Sequence, residues 1–100
     1  MKTLVVRYKV KPGQGDENQR LIEEVFAQLE RDKPSGVRYQ VVRLPDGVSF
    51  MHMATVDAGP VHPLTSLDAF KQFSAGIKDR CEEAPVATEV QVIGAFDNLA

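Results

Sequence analysis

Polar and apolar residues alternate from Thr3 to Val10. Leu4, Val6, Tyr8 and Val10 share one side, and Thr3, Val5, Arg7 and Lys9 share the other. A period of two predicts a strand over 3–10, which KPGQG then breaks. The period changes to 3.6 at Leu21, Ile22, Val25, Phe26 and Leu29, one stripe of an amphipathic helix. Asp16 is the predicted N-cap, Glu17 suits the positive end of the helix dipole, and Arg20 can pair with Glu24 on the wet face. Pro34 and Gly36 end the helix. Val37, Tyr39, Val41 and Val42 predict a second strand over 37–44. Pro45-Asp46-Gly47 is a hairpin signal, because Asp-Gly accepts the positive φ angles of a tight turn. A third strand follows over 48–57.

AGPVHP reads as a loop. Thr65 is the predicted cap of a second helix, with Asp68 at its third position. Leu67, Phe70, Phe73 and Ile77 form its buried stripe, and Gly76 weakens it from within. DRCEEAP reads as a surface loop. Val90, Val92, Ile93 and Phe96 place the last strand over 87–96.

The order β-α-β-β-α-β predicts an α+β chain, one ferredoxin-like domain over 1–100, with four strands in a sheet and two helices on one face. Both parities of the strands are apolar. Leu4, Val6, Tyr8, Phe50, Ala54, Val56, Val90, Val92 and Phe96 share one; Val5, Val42, Leu44, Met51, Met53, Ile93 and Ala95 share the other. Two helices cannot cover both, and a broad apolar face is uncommon on a monomer. The expectation is a homodimer joined through the open sheet face. The bulkier side, with Phe50 and Val92, is expected to meet the helices.

Composition changes this picture little. The 100 residues carry a formal charge of -2, and the 12 Lys and Arg are dispersed. This argues against nucleic-acid and membrane partners. The apolar run of MKTLVVRYKV stops at Val6, too early for a signal segment, so a cytoplasmic protein is expected. Cys81 is the single cysteine and cannot form an internal disulfide. The Glu82 and Glu83 that follow it disfavour a nucleophilic thiolate.

Candidate chemistry concentrates in SFMHMATVDAGPVHP, which holds both histidines. Met51-His52-Met53 invites a metal reading, but on a strand the methionines point to one face and His52 to the other. No metal site is expected, and the methionines read as adaptable packing at the dimer contact. His52 shares its side with Phe50, and Tyr8 and Tyr39 join it if the Asp-Gly turn sets the hairpin register. An imidazole and two phenols in an apolar cleft can hold a small polar aromatic ligand, with His52 as base near neutral pH. His52 and Tyr39 are the candidate catalytic residues; Tyr8, Phe50, His62 and Phe70 are the candidate ligand-binding residues, with His62 at the cleft mouth. The plainer alternative is a core histidine held by hydrogen bonds and tyrosines packed by their rings. Arg7 and Arg43 suit a ligand carboxylate, but an edge arginine or an intersubunit salt bridge is the better account of them. There is no phosphate-binding loop and no G-x-S-x-G elbow.

GVRYQVVRLPDGVSFMHMATVD, HPLTSLDAFKQF and RCEEAPVATEVQVIGAF together resemble the antibiotic biosynthesis monooxygenase-like proteins of the dimeric α+β barrel superfamily. The likeness spans nearly the whole chain. It implies a monooxygenase-like oxidoreductase that works without a cofactor, in which polar groups deprotonate a phenolic substrate and its carbanion reduces oxygen. It equally admits a non-catalytic dimeric binding or accessory protein. The haem-degrading branch, which the resemblance associates with an Asn, a Trp and a His, is matched least: this chain has no Trp, and Asn18 and Asn98 stand near a helix start and the C-terminus.

Overall fold

The computed structural model describes residues 1–57 and 59–99. Ala58 of the AGPVHP segment and Ala100 lie outside the described residues. The elements are β1 (Lys2–Val10), α1 (Gly15–Asp32), β2 (Val37–Arg43), β3 (Ser49–Val56), α2 (Asp68–Ala75), α3 (Ile77–Arg80) and β4 (Cys81–Val90). The strands form one antiparallel sheet in the order β2-β3-β1-β4, the ferredoxin-like α+β arrangement. The β2–β3 hairpin turns at Asp46-Gly47, where Gly47 takes a φ of 77°. The Asp46 carboxylate accepts from the backbone N–H groups of Val48 and Ser49 and from the Ser49 hydroxyl.

The pleat separates the two faces cleanly. Tyr8, Val10, Phe50 and His52 point under the helices and are buried. Met51 and Met53 point to the opposite face, where Val42, Val86 and Val90 remain exposed. Ile22 and Val25 of α1, with Leu64, Leu67 and Phe73 from the second helical region, close the core over the inner face.

Five expectations need correction. The N-cap of α1 is Gln14, not Asp16; the helix begins two residues early, at Gly15, which lies against the hairpin tip. Thr65 does not cap α2, which starts at Asp68 after Leu67; the 62–67 turn uses His62 as its acceptor instead. Gly76 does not sit inside one long helix but separates α2 from α3. The DRCEEAP segment is not a surface loop: β4 starts at Cys81, which is buried and pairs with Val10. The strand ends at Val90, so Val92, Ile93 and Phe96 are exposed chain beyond it, and Val92 does not meet the helices.

Arg43 locks the hairpin onto α1. Its Nε and Nη2 donate to the Gly47 carbonyl at 2.9 and 2.7 Å, and its Nη1 donates to Asp16 Oδ1 at 3.1 Å and Gln19 Oε1 at 2.8 Å. The guanidinium also covers the Phe50 ring. Neither a ligand nor an intersubunit pair is needed to explain this arginine. A Cβ on Gly15 would run into the Gly47 carbonyl and the Arg43 guanidinium. Gly15→Ala is therefore expected to destabilise the fold by about 1–3 kcal/mol, the usual cost of overpacking. Urea denaturation midpoints of the two proteins measure it, and equal midpoints would contradict the close approach.

Candidate functional site

The strand register builds the site. His52 sits across from Val6 on β1 and from Val41 on β2. Tyr8 lies opposite Phe50, and Tyr39 lies opposite Ala54. Each tyrosine is thus a diagonal neighbour of His52 on the inner face, within reach for long aromatic side chains. Tyr8 Oη is 2.7 Å from His52 Nε2, and Tyr39 Oη is 2.5 Å from His52 Nδ1. Both ring nitrogens are engaged. Phe73 tilts against the imidazole, and Phe26 of α1 stacks on Tyr39.

Two residues that the sequence reading passed over complete the network. Asn18 of α1, fully buried, donates from Nδ2 to the Tyr8 hydroxyl at 2.8 Å. Arg80 at the end of α3 donates from Nε to Asn18 Oδ1 at 3.2 Å and from Nη2 to the Phe73 carbonyl at 2.9 Å. A signal for Asn18 exists in the sequence. It stands four and seven residues before Ile22 and Val25, on the buried stripe, where a polar residue requires a partner.

Burial sets the protonation states. His52 retains 6% of its surface, and desolvation brings its pKa down from 6.5 to about 4. It is neutral at pH 7, and a base of ordinary histidine strength is not what the site contains. Burial raises the Tyr39 phenol, and it raises the Tyr8 phenol against a smaller lowering effect of the Asn18 hydrogen bond. The Cys81 thiol is also pushed up, by burial first, not by Glu82 and Glu83.

A cavity of about 240 Å³ opens beside this group, somewhat smaller than most ligand sites. Its walls come from Leu4, Val6 and Ala54 on the sheet, Phe70, Phe73 and Ile77 on the helices, and Pro85 on β4. Tyr8, Tyr39 and His52 supply polar groups on its sheet side, and Thr65 and Ser74 add hydroxyls on the helical side. His62, exposed, stands at the rim, its Nδ1 accepting from the N–H groups of Leu64 and Thr65 at 3.2 Å each. Of the expected site residues, the fold brings Tyr8, Tyr39, His52, His62 and Phe70 to one cavity. Phe50 does not line it. Its ring stacks behind Tyr8 with centroids 5.6 Å apart, so it supports the site from within the core.

No family model and no curated protein matches the chain. Solved structures do. SnoaB, a cofactor-independent oxygenase from Streptomyces nogalater, superposes with a TM-score of 0.69 at 16% identity, covering 97% of each chain. Two proteins assigned to the antibiotic biosynthesis monooxygenases are similarly close. That of Caulobacter crescentus gives 0.69 at 21% identity, over 93% of this chain and 90% of its own. That of Nitrosomonas europaea gives 0.73 at 13% identity, over 92% and 89%. The chain has the fold of the antibiotic biosynthesis monooxygenases. No helix of the described residues is long and apolar enough to cross a membrane.

The buried neutral imidazole links stability to pH. The unfolded chain takes up a proton at His52 near pH 6.5, whereas the folded chain resists until about pH 4. Stability from this group is complete above pH 6.5 and is lost as pH falls through that window, by about 3 kcal/mol in all. Comparing urea denaturation at pH 7 and pH 4.5 for wild type and His52→Gln should show most of that difference only in the wild type. An imidazole that titrates near 6.5 by NMR would refute the assignment.

Proposed function

We propose that the chain is a monooxygenase-like enzyme that oxidises a small aromatic molecule without a cofactor. The observation that carries this reading is the apolar cavity, bordered on its sheet side by the hydrogen-bonded Tyr39–His52–Tyr8 group. The fold shared with a cofactor-independent oxygenase supports it. A phenol with an open para position is a suitable substrate class. One phenol and one dioxygen give one p-quinone and one water: the ring loses four electrons, one oxygen atom is retained as the new carbonyl, and the other leaves as water. The electrons come from the ionised substrate itself. Tyr39 borders the cavity and holds the substrate oxygen, while His52 and Tyr8 hold Tyr39 in place. Leu4, Val6 and Phe70 exclude water from the ring.

Because His52 is already a weak base with both nitrogens occupied, the substrate enters as its phenolate, having released its proton to bulk water. The rate is then expected to rise with pH through the substrate's own pKa. Oxygen uptake measured across a series of phenols of different acidity tests this, with Tyr39→Phe lowering kcat/KM by at least tenfold. A profile with one fixed break near neutral pH, whatever the phenol, would assign the step to a protein base instead. The same occupied nitrogens favour a second reading, a binding protein without catalysis. Phenols that raise the melting temperature of the wild type but consume no oxygen would select it.

We further infer that two copies pair through the open sheet face. Met51, Met53, Val42, Val86 and Val90 make that face apolar, and Ile93 and Phe96 beyond β4 are more than 90% exposed. Sedimentation equilibrium is expected to give a dimer at micromolar concentration and a monomer for Met53→Lys. A monodisperse wild-type monomer would end this inference.

A further inference from the structure

We propose that Arg80 and Asn18 fix the direction of the hydrogen-bond chain, so that the Tyr39 hydroxyl is presented to the cavity as a donor and the ligand is held through an acceptor oxygen, a ketone or phenolate. This rests on the reading of the cavity as the ligand site.

The direction follows from groups that have no choice. A guanidinium can only donate, so the atom of Asn18 that faces Arg80 Nε at 3.2 Å is its carbonyl oxygen. The amide nitrogen must then face Tyr8, and it donates to the Tyr8 hydroxyl at 2.8 Å. Tyr8 is 6% exposed, so its own hydrogen needs an acceptor inside the protein. The acceptor within reach is His52 Nε2 at 2.7 Å. With Nε2 accepting, the neutral ring carries its hydrogen on Nδ1 and donates it to Tyr39 Oη at 2.5 Å. Among the described residues Tyr39 makes no other side-chain hydrogen bond. Its hydrogen is left over, at the one link of the chain that borders the cavity without a further protein acceptor.

The opposite direction fails at Tyr8. There Nε2–H and Asn18 would both donate to the Tyr8 oxygen, and the Tyr8 hydrogen would be stranded in the core, a costly arrangement. Arg80 and Asn18 are therefore positioning residues. They lie outside the cavity lining yet determine whether its polar group gives or takes a hydrogen bond. Each link also polarises the next, which strengthens Tyr39 as a donor.

The tautomer of His52 is measurable without any ligand. Long-range ¹H–¹⁵N correlation spectra of the wild type are expected to show a protonated Nδ1 and a bare Nε2. Asn18→Asp is nearly isosteric but can only accept. Its carboxylate keeps Arg80 and takes the Tyr8 hydrogen, so the chain reverses and the ring hydrogen moves to Nε2. Binding follows with three two-ring probes by calorimetry: 1-tetralone, which only accepts; 2-naphthol, which can donate; and tetralin, which does neither. The wild type is expected to prefer 1-tetralone to tetralin by about tenfold, one good hydrogen bond. Asn18→Asp is expected to lose that preference and to keep or improve its affinity for 2-naphthol. Loss of affinity for all three alike, with no change of tautomer, would mark Asn18 as structural and overturn the proposal. A wild-type ring protonated on Nε2 overturns it as well, and that spectrum stands even if Asn18→Asp does not fold. A ring protonated on Nδ1 in a protein that binds none of the probes would remove the ligand assignment and the functional reading beneath it.

Discussion

A neutral imidazole sealed between two phenols is the constraint around which this molecule is arranged. Removing the ring from water costs several kcal/mol unless both nitrogens find partners. The sheet supplies them only in one register, with His52 facing Val6 and Val41 so that Tyr8 and Tyr39 fall diagonally on either side. A slip of one residue along β3 would send His52 to the outer face and bring Met51 or Met53 inward. The hairpin turn at Asp46-Gly47, the Arg43 lock and the close seat of Gly15 all act to hold that register. The polar site and the fold are stabilised by the same contacts.

Much of this was legible in the chain. Parity in 3–10 and 49–56 groups Tyr8, Phe50 and His52 on one side and Met51 and Met53 on the other, and the greater bulk of the Phe50 side marked it as the one under the helices. Asp-Gly fixed the tight hairpin, and with it the meeting of Tyr39 and His52. What misled was the C-terminal part. The apolar residues Val90, Val92, Ile93 and Phe96 look more like a strand than CEEAPVATEV, with its proline and three glutamates. Pairing decided otherwise, because β1 meets the chain as soon as α3 ends, and an edge strand tolerates both proline and charge.

Asn18 and Arg80 were hard to read for a different reason. The stripe position of Asn18 shows that it needs a partner but not which one, and Arg80 reads as a terminal cation suited to the helix dipole. Their roles exist only across the fold, 62 residues apart in the chain. Phe50 errs in the opposite sense. Its parity is right, but parity places a side chain on a face without saying whether the cavity or the packed core lies there. The stack on Tyr8 and the cover of Arg43 put it in the core.

The edge of β4 has a consequence for how copies of this chain can meet. Pairing with β1 slips between Arg7 and Lys9, and Pro85 lies in the slipped stretch, without an amide hydrogen to offer a newcomer. Charged side chains line the same border: Glu83, and Glu82 and Glu89 paired with Lys9 and Lys2 of β1. Growth by adding strand to strand, the route to filaments, is disfavoured on that side. Under the proposed pairing through the flat of the sheet, a two-fold contact would use up the surface that made it and assembly would close.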